Sequence, residues 1–113
     1  MDLKEKTLLS SKVAEDKKAF DVVILDLKEY SSITDYFMIC SGNSTRQVKA
    51  IADGIDENLS KKGIWALGIE GHNEARWILM DYGDLIIHIF YEETRKFYDL
   101  ERLWGSAPLV NLE

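Results

Sequence analysis

Ser44-Thr45-Arg46-Gln47-Val48-Lys49-Ala50-Ile51-Ala52-Asp53-Gly54-Ile55-Asp56-Glu57-Asn58-Leu59-Ser60-Lys61-Lys62-Gly63 reads as one helix from cap to stop. Ser44 can cap the first turn, and Gln47 sits where a capping box needs it. Val48, Ile51, Ala52, Ile55 and Leu59 recur at the helical period and form a single apolar stripe. Lys61 and Lys62 suit the negative end of the helix dipole, and Gly63 suits the residue that ends it. Every local signal agrees, so this helix anchors the reading of what flanks it.

Tyr36-Phe37-Met38-Ile39-Cys40-Ser41 runs into it through Gly42 and predicts a strand. Asp21 to Leu27 is short, β-branched and bounded by charge, which predicts a buried strand before it. The polar loop Lys28 to Asp35 joins the two. A modest stripe of Leu8, Leu9, Val13 and Ala14 predicts a helix over 4–19. After Gly63, Ile64 to Ile69 predicts a third strand and Glu70 to Ala75 a polar loop. Trp77 to Asp81 and Leu85 to Phe90 read as a hairpin turning through Tyr82-Gly83-Asp84. Glu92 to Trp104 predicts a last helix with Phe97, Leu100 and Trp104 on one side, stopped by Gly105 and Pro108. The order predicts an α/β domain of the α+β kind: a mixed sheet of about five strands covered by helices. We expect one domain over 1–105 and a loose tail over 106–113.

The chain has 113 residues, 46% of them apolar, which suits one domain with a real core. Its net charge of −6 argues against gripping a phosphate backbone, which needs clustered Lys and Arg. The balance suits a basic partner, although acidity also simply keeps a protein soluble. Cys40 is the only cysteine, so no disulfide can form within the chain. No apolar run is long enough to cross a bilayer, and the N-terminus has no signal-peptide pattern. A cytoplasmic location is expected.

Catalytic and metal patterns are weak. No CxxC or HExxH spacing occurs, and His72 and His88 are the only histidines. His88 alternates with apolar neighbours, as a satisfied sheet histidine does, and His72 has no obvious partner. Ser41-Gly42-Asn43-Ser44 faintly echoes the turn that nucleotidyltransferases place before a helix. Those enzymes then need paired carboxylates on one strand face for magnesium. Here Asp53 and Asp56 fall on the helix, and Asp81 and Asp84 flank a turn. No catalytic residue, metal or cofactor is expected.

The segment from Glu70 to Asp84 has the makeup of a protein-binding patch. Trp77, Leu79 and Asp81 share one strand face, and Ile78 and Met80 take the other. An aromatic anchor ringed by acids fits a basic partner. The plainer reading is that Trp77 packs under the last helix.

Five motifs stand in register: Ser31 to Phe37; Ser41 to Val48 leading to Ile51-Ala52-Asp53; Gly68-Ile69-Glu70-Gly71; Trp77 to Asp84 with Ile87 to Phe90; and Tyr98 to Trp104. In this order the sequence strongly resembles the Iojap family of ribosomal silencing factors, over about residues 5–105. The resemblance implies a nucleotidyltransferase-like fold without demonstrated catalysis. It implies binding to the large ribosomal subunit through ribosomal protein L-fourteen. Occupancy there would block subunit joining and repress translation when nutrients are scarce. It further implies a homodimer when free, with no direct reading of nucleic acid and no membrane. The positions matching the family's motifs are Glu70, Trp77, Leu79, Asp81, Tyr82, Asp84 and Tyr98. On that basis Trp77 and Leu79 would supply apolar contact and Tyr82 an amphipathic edge. Glu70, Asp81 and Asp84 would pair with Lys or Arg on the partner. Two other readings compete with this one: an active or degenerate nucleotidyltransferase, and a self-associating scaffold.

Overall fold

The computed structural model describes residues 1–112. The chain runs α1 (Leu3–Asp16), β1 (Phe20–Asp26), β2 (Tyr36–Gly42), α2 (Thr45–Ser60), β3 (Gly68–Glu70), β4 (Trp77–Asp81), β5 (Leu85–Tyr91), α3 (Glu92–Tyr98) and α4 (Leu100–Leu103). The strands form one mixed sheet in the order β1-β2-β5-β4-β3. Only β2 and β5 pair in parallel; the other three pairs are antiparallel. Parallel neighbours need a long crossover, and α2, β3 and β4 lie between β2 and β5 in the chain. A mixed five-stranded sheet with helices is what the sequence predicts.

The helix that anchors the sequence reading forms, with Ser44 as its cap, although the Gln47 side chain reaches back one residue further than a capping box requires, to Asn43. Ser44 Oγ accepts from the Gln47 N–H at 3.1 Å, and Gln47 Oε1 accepts from the Asn43 N–H at 2.6 Å. Gly63 adopts φ +79°, the left-handed conformation a helix stop requires. The whole stripe of Val48, Ile51, Ala52, Ile55 and Leu59 is buried. With Val13 and Ala14 of α1 it covers Met38, Cys40, Ile78, Met80, Ile87 and Ile89 on one face of the sheet. Full burial of each Val, Ile or Leu contributes roughly 1.5–3 kcal/mol. Burial also pushes the Cys40 thiol up to about 12, so it behaves as a small apolar side chain.

Three elements depart from expectation. Of the strand predicted over 64–69 only Gly68 and Ile69 form one, and Glu70, predicted as loop, joins them at an exposed edge. The last helix is not continuous. Asp99 takes a left-handed φ of 49° and divides it into α3 and α4, which turns Phe97 and Leu103 out to solvent. The residues after 105, expected to be loose, run along β1. The Asp26 N–H donates to Pro108 O and the Val110 N–H donates to Ile24 O, each at 2.9 Å, and Ala107 is buried. The physical reason is the open edge of β1, whose backbone groups would otherwise lack partners. Glu113 lies outside the described residues.

Between β3 and β4 the chain reverses through Gly71, with φ +82°. A Cβ at Gly71 would lie 2.1 Å from Trp77 O, a backbone atom that cannot move aside. At Gly68 a Cβ would meet nothing within 4 Å. Gly71→Ala should therefore lower the unfolding free energy by more than about 2 kcal/mol. Gly68→Ala should change it by less than about 0.5 kcal/mol. Urea unfolding of the two variants beside the parent chain checks both, and equal effects would mean that this close approach is not tight.

Candidate partner-binding face

Helices α1 and α2 close one face of the sheet; the other is only half covered. Leu100, Trp104 and Ala107 pack over Leu25, Leu27, Phe37 and Ile39, on the β1–β2 side. On the β4–β3 side α3 reaches the sheet at Trp77, and the alternation of β4 decides what is presented beyond it. Ile78 and Met80 are buried towards the helices, and Trp77, Leu79 and Asp81 are half-buried on the opposite side. Pairing then sets their neighbours. Trp77 lies opposite Phe90, Leu79 between His88 and Glu70, and Asp81 between Ile86 and Gly68. Glu70 is exposed beside Leu79.

Tyr98 completes the group from α3. Its ring lies 4.9 Å from that of Trp77, tilted by 50°. What holds α3 in place is Arg95, whose guanidinium is largely buried. Its Nη1 donates to Asp21 O at 2.6 Å and to Ser41 Oγ at 2.8 Å, and its Nε donates to Glu101 at 2.9 Å. One side chain thereby ties α3 to β1, β2 and α4. Sequence reasoning missed Arg95, because its partners are scattered along the chain. It also missed Phe97, which is 82% exposed and sets its edge against Tyr98 at 5.1 Å. Phe97, Tyr98 and Trp77 line a cleft of about 520 Å³ together with Glu74, Arg76 and Glu93.

Five of the seven sequence-derived residues thus share one surface: Glu70, Trp77, Leu79, Asp81 and Tyr98. The other two do not. Tyr82 is buried in the core beneath α1 and α2, where its hydroxyl has no partner among the described residues and burial pushes its phenol upwards. An amphipathic edge is therefore not its place. Asp84 turns towards the helices and pairs with Lys6 of α1. Asp81 also has a local duty, since its Oδ1 accepts from the Gly83 N–H at 2.8 Å and shapes the hairpin. His72, which has no obvious partner in the sequence, meets Asp53 of α2 at 2.8 Å.

His88 lies at the centre of the half-covered face, 3% exposed. Phe37 stands edge-on to it at 4.5 Å, and Phe90 stacks at 6.3 Å. Its Nδ1 accepts from the Trp77 indole N–H at 3.1 Å. The sequence predicts a satisfied sheet histidine, yet Nε2 has no partner among the described residues. Burial lowers the ring from its ordinary 6.5 to about 4, because charging it there would forfeit hydration.

The chain has relatives among known proteins both in sequence and in structure. The model of a family described as "Ribosomal silencing factor during starvation" matches residues 1–113. The chain is 42% identical to ribosomal silencing factor RsfS of Bacillus subtilis, covering 100% of this chain and 96% of that one. It is 44% identical to RsfS of Halalkalibacterium halodurans, covering 100% and 97%. A more distant relative, at 33% identity over 78% of this chain and 40% of that one, is "Mitochondrial assembly of ribosomal large subunit protein 1" of Mus musculus. Among solved structures, a crystal structure from Chromobacterium violaceum superposes with a TM-score of 0.90 at 35% identity, over 93% of this chain and 88% of that one.

The depressed His88 makes stability depend on pH. Above pH 6.5 the ring is neutral in the folded and unfolded chains alike, and its titration has no effect. As pH falls from 6.5 towards 4, only the unfolded chain takes up the proton, so stability falls. The loss reaches about 2 kcal/mol near pH 5. Urea unfolding at about pH 7.5 and pH 5 should show the parent chain losing more stability than His88→Leu by that amount. Equal losses in both would assign the dependence to other groups.

Proposed function

The chain belongs to the ribosomal silencing factor family, and from that premise we propose that it binds the large ribosomal subunit through the half-covered face. In this reading it acts by occupancy and not by catalysis. The partner is ribosomal protein L-fourteen, a basic protein, and a silencing factor seated on it blocks joining of the small subunit. Translation then falls when nutrients are scarce. The protein works in the cytoplasm, where ribosomes are, and is a homodimer when free.

The observation that carries this reading is the placement of Trp77 and Leu79. Both stand half-buried on the half-covered face beside Glu70 and Asp81, Trp77 against Tyr98 at the edge of the helical cover and Leu79 one pleat beyond it. Rigid apolar anchors next to carboxylates match a basic protein surface in both shape and charge. The mouse relative's name speaks of the ribosomal large subunit, which supports the choice of subunit. An overall charge of −6 fits a protein partner better than ribosomal RNA.

Co-sedimentation with separated ribosomal subunits tests it. The protein should travel with the large subunit and not with the small one. Trp77→Ala should weaken binding by about 2 kcal/mol, roughly 30-fold, since truncating a central aromatic anchor commonly has that effect. Glu70→Lys should weaken binding and reduce its salt dependence. Asp84→Asn should leave the affinity close to that of the parent chain, because Asp84 faces Lys6 and not the partner. Folded protein that fails to sediment with the large subunit at moderate salt would refute the proposal. An Asp84→Asn loss as large as that of Trp77→Ala would refute the choice of face.

A further inference from the structure

Trp77 is the largest apolar side chain of β4, half-buried at the boundary of the covered part of the sheet. Phe90 and Tyr98 flank it, each at 4.9 Å, tilted by 30° and 50°. The terminal torsion of a tryptophan has broad wells, so tilted ring contacts fix it poorly. One directional contact is present: the indole Nε1–H donates to Nδ1 of His88 at 3.1 Å.

That contact dictates the histidine's tautomer. With Nδ1 accepting, the neutral ring carries its proton on Nε2. Nε2 is buried and has no partner among the described residues. An unpaired buried N–H costs free energy, whereas two apolar groups of similar shape would incur no such cost. As a device for stability the pair is therefore poor. What it does supply is direction, since a hydrogen bond fixes the rotation of the indole in a way that ring contacts do not.

We propose that His88 is a positioning residue for partner binding: by accepting the Trp77 N–H it holds the indole in one orientation on the uncovered face. The partner then meets a preformed anchor and does not have to order a mobile one. His88 is 3% exposed, so it acts through Trp77 and not by touching the partner itself. The inference rests on the reading of this face as the ribosome-binding one.

Two measurements test it. The first needs no ribosome: nuclear magnetic resonance of the three tryptophan indole N–H groups, with Trp77 assigned through Trp77→Phe. The Trp77 signal should be hydrogen-bonded and slow to exchange in the parent chain. In His88→Leu it should move and exchange quickly. The second is affinity for the isolated large subunit. His88→Leu should weaken binding about tenfold while its thermal midpoint at neutral pH is unchanged or raised. In a Trp77→Phe background, where no N–H exists to be held, adding His88→Leu should cause no further loss. His88→Phe keeps a ring in place and stands in if His88→Leu fails to fold.

An indole signal unmoved by either substitution would overturn the proposal. So would an equal loss of affinity with and without the Trp77 N–H. If the parent chain does not bind the large subunit at all, the functional reading falls, and the indole signal still decides whether His88 positions Trp77.

Discussion

Parallel pairing of β2 with β5 is the constraint on which the rest depends. All seven residues of β2 are buried, as are the first six of β5. Their side chains feed both faces of the sheet: Met38, Cys40, Ile87 and Ile89 on the helix side, Phe37, Ile39, Ile86 and Phe90 on the other. Strands buried on both faces must be apolar throughout, and these two nearly are. The parallel sense also explains the chain order, because the link from β2 to β5 has to travel the length of the sheet. In doing so it lays down α2 on one face and adds β3 and β4 beyond β5.

The two faces are completed unequally. Helices α1 and α2 close theirs, so that Ile78 and Met80 are fully buried at the same strand where Leu79 is not. On the other face the coverage comes from the short α3 and α4 and from the residues after 105. These elements are fixed by polar contacts: Arg95 to Asp21, Ser41 and Glu101, and Pro108 and Val110 to the backbone of β1. They extend over β1, β2 and β5, reach Trp77 of β4 through Tyr98, and stop short of β3. An uncovered apolar strip is therefore a consequence of how far the covering segment extends, with Trp77 at its boundary.

The sequence reveals whichever features are set by local periodicity and caps. Ser44, Gln47, the α2 stripe and Gly63 all act within a few residues, and each is where the pattern puts it. The alternation that separates Trp77, Leu79 and Asp81 from Ile78 and Met80 is of the same kind. Features set by distant partners stay hidden. Asp99 breaks the last helix with a left-handed backbone, a conformation its neighbours in sequence do not announce. Asp84 is drawn to Lys6, seventy-eight positions away. Tyr82 reads as a turn residue and is in fact core, since the hairpin folds it under α1 and α2. The order after 105 comes from the unpaired edge of β1, which becomes visible only once the strand order is known.

The placement of Trp77 and Leu79 on a strand has a physical consequence for partner binding as proposed above. A protein that works by occupying a surface must present side chains that do not move when the partner arrives, because each side chain ordered on binding subtracts from affinity. Loops supply reach and pay for it in ordering; a strand between two others supplies fixed Cβ directions spaced by the pleat. Leu79 and Asp81 inherit that rigidity from their pairing with β5, and Glu70 inherits it from its pairing with β4. Trp77 needs more, because its bulk extends beyond the pleat, where the backbone no longer dictates its orientation. The hydrogen bond from its indole to His88 extends the rigidity of the sheet by one side chain, which accounts for a polar ring buried where an apolar one would pack as well.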